Sequence, residues 1–251
     1  LGSSSVKYGL SCTQLNALSH DSLAFISLAN DARDPIETYF ILQQLDLSNV
    51  KAVYMGIDPW IFVKNYYKNL KSYLYLDMDP FMAARYSLDQ DPRLFPGRYK
   101  SLITSLFPGS PAKKDTSQPV PRGFGSEALT GSPVNFNDPV YQKFHFEKYG
   151  WSDLQFAYFR KIKQFFSNLK IIFIAFYPPK RSDFVLDYNT KCAEIHASFL
   201  RKLKATGFTS PIIGSFDQLR LFGDSLFADA YHLNRKGQEI YAKIFFRLIN
   251  D

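Results

Sequence analysis

The sequence predicts an α/β fold, a parallel sheet with helices on both faces. Two apolar runs, residues 50–57 (VKAVYMGI) and 169–176 (LKIIFIAF), are continuous rather than alternating. That is the pattern of strands buried on both faces, as parallel strands are. Segments with apolar residues at helical spacing stand between such runs. Strands that alternate with helices imply crossover connections and a parallel sheet. A length of 251 residues fits one large domain over 1–251 with a sizeable core.

The elements follow in order. Residues 24–28 (AFISL) form a short apolar run before Asn30-Asp31, a strand and then a loop. Asp34-Pro35-Ile36-Glu37 is a helix start: Asp34 caps, Pro35 takes the first helical position, and Glu37 follows three residues after the cap. Ile36, Tyr39, Phe40 and Leu47 continue at helical spacing, and 50–57 is the next strand. Residues 64–148 then break the rhythm as a long insertion after the third strand. It opens with Tyr66, Tyr67, Tyr73 and Tyr75, and Pro96, Pro108, Pro111, Pro119, Pro121 and Pro133 punctuate the rest. Residues 110–132 have little to bury, which predicts mobility there. Regularity returns at Trp151. Ser152 with Gln155 spells a capping box, and Tyr158, Phe159, Ile162, Phe165 and Phe166 share one helix face. The strand 169–176 ends at Tyr177-Pro178-Pro179. Tyr188, Cys192, Ile195, Phe199, Leu200 and Leu203 mark a helix stopped by Gly207. Residues 210–214 are a short strand. Asn234 caps a last helix carrying Ile240, Tyr241, Ile244, Phe245, Leu248 and Ile249.

Composition excludes several classes. Hydrophobic residues make up 46% and aromatics 17%, too many for disorder, and two cysteines cannot make a disulfide scaffold. No apolar run approaches the roughly 20 residues of a membrane span, and the chain opens on small polar residues, not on a signal peptide. The net charge of +7 is scattered among acids, so a solvated surface or attraction to an anionic polymer explains it better than nucleic acid. Four scattered histidines show no metal-ligand spacing. Of these, His196 is expected to be exposed, His20 to pair with Asp21 in a loop, and His145, between Phe144 and Phe146, to be packed or to line the insertion.

In a doubly wound sheet the site sits at the carboxyl ends of the strands. Two segments there can carry chemistry. Leu1-Gly2-Ser3-Ser4-Ser5-Val6 is a tight turn that exposes hydroxyls and backbone N–H groups before a helix-like stretch. Asp229-Ala230-Tyr231-His232 precedes the final helix. A carboxylate three residues before a histidine can fix its tautomer and stabilise the imidazolium. Gly223-Asp224-Ser225-Leu226 is a second serine turn, but no helix opens directly after it, so it belongs to the loop leading to Asp229.

Serine at the start, Asp-x-x-His near the end and an α/β core between resemble the SGNH (GDSL-type) hydrolase superfamily. The Gly-Ser-Ser turn, His232-Leu233-Asn234 and Gly56-Ile57-Asp58-Pro59 look like its branch of alginate and cellulose O-acetylation proteins and the teichoic acid D-alanine transfer protein. The resemblance covers the alternating core and not the insertion. It implies a three-layer α/β/α, flavodoxin-like fold. It implies Ser4 as nucleophile, His232 as base and Asp229 as its orienting acid, with no cofactor. The family draws oxyanion donors from the serine N–H, a glycine N–H after the second strand and an asparagine after the third. Here Ala29 or Asn30 stands at the second place and Asp58 at the third, where an ionised carboxylate accepts but does not donate. Trp60 and Tyr66 are candidates for stacking on sugar rings, with core or insertion packing as the other reading.

The activity implied is ester hydrolysis or acyl transfer, of an acetyl group above all, on a cell-surface carbohydrate polymer. The alternative is a catalytically silent domain that binds polysaccharide or docks onto a membrane acyltransferase; hydrolysis of small lipid esters is a third reading. The setting would be extracytoplasmic, in a periplasm or at a cell surface. Only Leu1 precedes Gly2, although a first strand takes about 5–6 residues. Native residues upstream, holding a signal or membrane anchor, are therefore expected.

Overall fold

A computed structural model of the chain describes residues 1–20, 22–30, 33–63, 150–180, 196–214, 223–228 and 232–250. The insertion over 64–148, with Tyr66, and the positions of Asp229, His145, Tyr188, Cys192 and Ile195 lie outside them.

The described residues form a mixed α/β structure. Its helices are α1 (Ser4–Lys7), α2 (Cys12–Leu18), α3 (Pro35–Leu42), α4 (Asp153–Asn168) and α5 (Arg235–Leu248), with residues 196–205 also helical. Two strands, β1 (Ala52–Gly56) and β2 (Ile172–Phe176), pair in parallel with Ala52 opposite Ile172 and Gly56 opposite Phe176. Backbone bonds extend this pair on both sides. Gly56 N–H donates to the Leu1 carbonyl (2.9 Å), and Asn30 N–H donates to the Gly2 carbonyl (3.1 Å). On the far side Ile213 forms a parallel bridge with Phe176.

Alternate strand residues join different clusters, as the pleat requires. Val53, Met55, Phe173 and Ala175 pack with Phe159, Ile162 and Phe166 of α4. Tyr54 and Phe176 pack with Val6, Tyr241 and Phe245. Phe176 and Phe245 meet edge to face at 4.9 Å, and Phe166 stacks on Phe173 at 5.5 Å. Helix α3 packs against α4, and α2 against α5.

The three expected caps form. Asp34 accepts from Glu37 N–H at 2.8 Å, Ser152 from Gln155 N–H at 3.2 Å, and Asn234 from Gly237 N–H at 3.0 Å. Each is worth about 1 kcal/mol. Several expectations change. The reciprocal half of the capping box is missing. Gln155 instead donates its side-chain amide to Asp34 (2.8 Å) and accepts from Ile36 N–H (3.3 Å), while Ser152 N–H donates to the Phe62 carbonyl (2.8 Å). Helix α3 stops at Leu42, so Leu47 is not on it. Residues 24–28 are not a regular strand: the Phe25 backbone bonds the Asn16 side chain through both N–H (2.6 Å) and C=O (3.3 Å), and only Asn30 reaches the ladder. The expected strand at 210–214 shrinks to the single bridge at Ile213. His196 is half-buried rather than exposed, with Nε2 3.2 Å from the Tyr177 hydroxyl. No described helix is long and apolar enough to cross a membrane.

Candidate functional site

The site is assembled at the carboxyl ends of the paired segments. Gly2 leaves the ladder with φ of +142°, a conformation that favours glycine. A Cβ there would lie 2.5 Å from Cγ2 of Val6, a buried member of the core. The turn thereby drops straight into α1, whose first residue is Ser4. Helix α1 has no side-chain cap bond, because the Ser3 hydroxyl at the N-cap position is used elsewhere.

His232 arrives from the other end of the chain. Phe227 and Leu233 form an antiparallel bridge, and Ala228 N–H donates to the His232 carbonyl at 2.8 Å. Asn234 closes the same loop. Its N–H donates to the Leu226 carbonyl (2.9 Å) and its side-chain amide to the Ser225 carbonyl (2.7 Å), while its Oδ1 caps α5. The turn Asp224–Leu226 is thus a short 3-10 support for the His232 loop, with Ser225 exposed.

These two segments bring Ser4 Oγ to 2.9 Å from His232 Nε2, across 228 residues of sequence. With Nε2 unprotonated, the serine hydroxyl donates to it, which is the arrangement a general base needs. Tyr8 lies edge-on against the His232 ring, with centroids 5.2 Å apart. Gln238 of α5, buried, donates to the Tyr8 carbonyl at 2.8 Å and so ties α1 to the last helix. Asp229 lies outside the described residues.

The candidate oxyanion donors fare differently. Ala29 N–H donates to Ser27 Oγ (3.3 Å) and Asn30 N–H to the Gly2 carbonyl, so both main-chain donors expected after the second strand are engaged. Asn30 is spent on the ladder because it continues the sheet edge beside Gly2. Among the described residues, none accepts from the Ser4 N–H, as is usual for the first turn of a helix.

Asp58 sits two residues beyond β1 and is buried. Its Oδ2 accepts from Ser3 Oγ at 3.0 Å, and its Oδ1 lies 2.9 Å from Lys180 Nζ, with both side chains at most 1% exposed. It is therefore an acceptor in a buried ion pair, not an oxyanion donor. Burial holds the Tyr177 and Tyr241 phenols well above their ordinary range, and the Asp58 charge adds to both. Tyr241 donates to the Tyr177 carbonyl at 3.4 Å. Of Trp60 only the backbone, in the 3-10 turn Pro59–Phe62, is described.

Sequence reasoning passed over Tyr8, Lys180 and Gln238, and it read Ser3 only as part of a turn exposing hydroxyls, whereas Ser3 and Ser5 are each 1% exposed. Only Lys180 left a signal, a lysine four residues past a buried strand where a site would open. Among known proteins, no family model matches the chain and no curated protein matches it.

Proposed function

We propose that the protein is a serine-dependent acyl esterase or O-acyltransferase, with acetyl esters of a cell-surface carbohydrate polymer as its substrates. The observation that carries this reading is the 2.9 Å approach of Ser4 Oγ to His232 Nε2. A serine at a helix start beside a part-buried histidine is the geometry of an activated nucleophile. Ser4 attacks the ester carbonyl, its proton passes to His232, and the alcohol leaves with that proton. His232 then activates water or a sugar hydroxyl to release the acyl group. Asp229, three residues before His232, orients the imidazole, and the Ser4 N–H donates to the oxyanion.

The order of the pairings supports a three-layer, flavodoxin-like fold of SGNH type. Asn30, Leu1–Gly2, β1, β2 and Ile213 lie side by side, the 2-1-3-4-5 order of doubly wound sheets. The separation of the strand residues into two clusters supports helices on both faces. An extracytoplasmic setting and a membrane acyltransferase as partner belong to the same proposal.

Turnover of an acetylated sugar by the protein, compared with Ser4→Ala and His232→Ala, tests it. Loss of turnover in both is expected, and unchanged turnover in Ser4→Ala would overturn it. The engaged N–H groups of Ala29 and Asn30 favour a second reading, a silent domain that binds polysaccharide. That reading predicts polymer binding with no turnover in any variant.

A further inference from the structure

Ser3 occupies the N-cap position of α1, where a serine hydroxyl ordinarily accepts from a first-turn N–H. It makes no such bond. Its Oγ points instead to Asp58 Oδ2 at 3.0 Å, and Lys180 closes on the other Asp58 oxygen at 2.9 Å. The three side chains come from the carboxyl ends of three neighbouring segments, Leu1–Gly2, β1 and β2. All three are buried, at 1% exposure or less. A buried carboxylate beside a nucleophile would oppose an anionic intermediate, and a buried lone ammonium would be costly. Paired, they cancel.

We infer that Ser3, Asp58 and Lys180 act as one positioning unit for Ser4. The inference rests on the proposal that Ser4 is the nucleophile. Asp58 pulls the Ser3 hydroxyl away from the helix start. This fixes the turn that aims Ser4 Oγ at His232. Lys180 pairs with the other Asp58 oxygen and screens that charge from the reaction. Asp58 thus serves the site by orienting Ser3, although it cannot donate to an oxyanion.

The test combines Ser3→Ala, Lys180→Met, the paired change Asp58→Leu with Lys180→Met, and Ser4→Ala, each assayed for kcat, KM and melting temperature with an acetyl ester. Lys180→Met alone strands a buried carboxylate and lowers the melting temperature. The apolar pair removes both charges and restores it, as replacement of buried ion pairs commonly does. Turnover does not return with stability. Ser3→Ala and the apolar pair each lower kcat roughly 10- to 100-fold with KM within about twofold, the cost of a misplaced reacting group. Combining Ser3→Ala with the apolar pair lowers kcat no further, because the residues act as a unit.

A readout independent of turnover is the nitrogen-15 shift of His232 Nε2, expected to move in Ser3→Ala in the direction it moves in Ser4→Ala. Wild-type kcat and an unmoved His232 signal in Ser3→Ala, beside an inactive Ser4→Ala, overturn the positioning unit and leave the nucleophile intact. An active Ser4→Ala instead overturns the reading of Ser4 on which the unit rests.

Discussion

Gln155 and Asp34 meet at 2.8 Å although 121 residues separate them, and the contact joins the starts of two helices. Asp34 caps α3 with one oxygen and accepts from Gln155 with the other, while Gln155 accepts from Ile36 N–H. Both side chains are at most 1% exposed. Gln155→Leu removes two buried hydrogen bonds and leaves their partners short of one each. A stability loss of about 1–3 kcal/mol follows, read by urea denaturation. Ester turnover of the folded variant stays at the wild-type value, because neither residue touches Ser4 or His232.

The Gly2 turn has no room for a side chain. Gly2→Ala places a Cβ 2.5 Å from Val6 Cγ2 in a backbone with φ of +142°. The expected cost is about 1–3 kcal/mol, with a loss of turnover larger than the fall in melting temperature explains, because the strain sits one residue from Ser3. Comparison of kcat with thermal denaturation for the single variant checks it.

The alkaline limb of stability depends on Tyr241. Its phenol is held above the ordinary value of 10.0, first by burial and then by the Asp58 charge. Above pH 10 an unfolded Tyr241 loses its proton while the folded one keeps it. The native state then binds more protons than the unfolded state, so stability falls as pH rises, by about 1.4 kcal/mol per pH unit for one such group. Tyr241→Phe removes this term, and its stability declines less steeply than wild type between pH 10 and 11. Parallel slopes in denaturant titrations would refute the assignment.

Cys12 gives a further check on the packing beside α1. Its thiol is 4% exposed, and burial raises its pKa. Thiolate formation and access are both disfavoured. Iodoacetamide at pH 8 should leave the Cys12 peptide unmodified in the folded protein and label it in urea, as read by mass spectrometry. Rapid labelling without denaturant would contradict the buried position.

Local signals in the sequence proved informative where one residue acts on its own helix. Asp34, Ser152 and Asn234 all cap the helices they precede, since a cap needs only the next three residues. The continuous apolar runs marked β1 and β2 because burial on two faces leaves no polar alternation. Signals that depend on distant partners were less legible. Gln155 has the right spacing for a capping box, but the buried Asp34 competes for its amide. Residues 24–28 have strand composition, yet Asn16 takes the Phe25 backbone groups. Ser4 and His232 could be paired only through the resemblance, and the use of Ser3 and Lys180 could not be read at all. Their meeting at Asp58 is set by the register of three separate segments.

We propose above that Ser4 is a nucleophile activated by His232. The most direct measurement is labelling by a fluorophosphonate ester, followed by mass spectrometry of the modified peptide. One phosphonate per chain is expected on Ser4, with labelling slowed by at least about 100-fold in His232→Ala and none at this site in Ser4→Ala. Equal labelling of wild type and Ser4→Ala, or modification of Ser225 in place of Ser4, would contradict it.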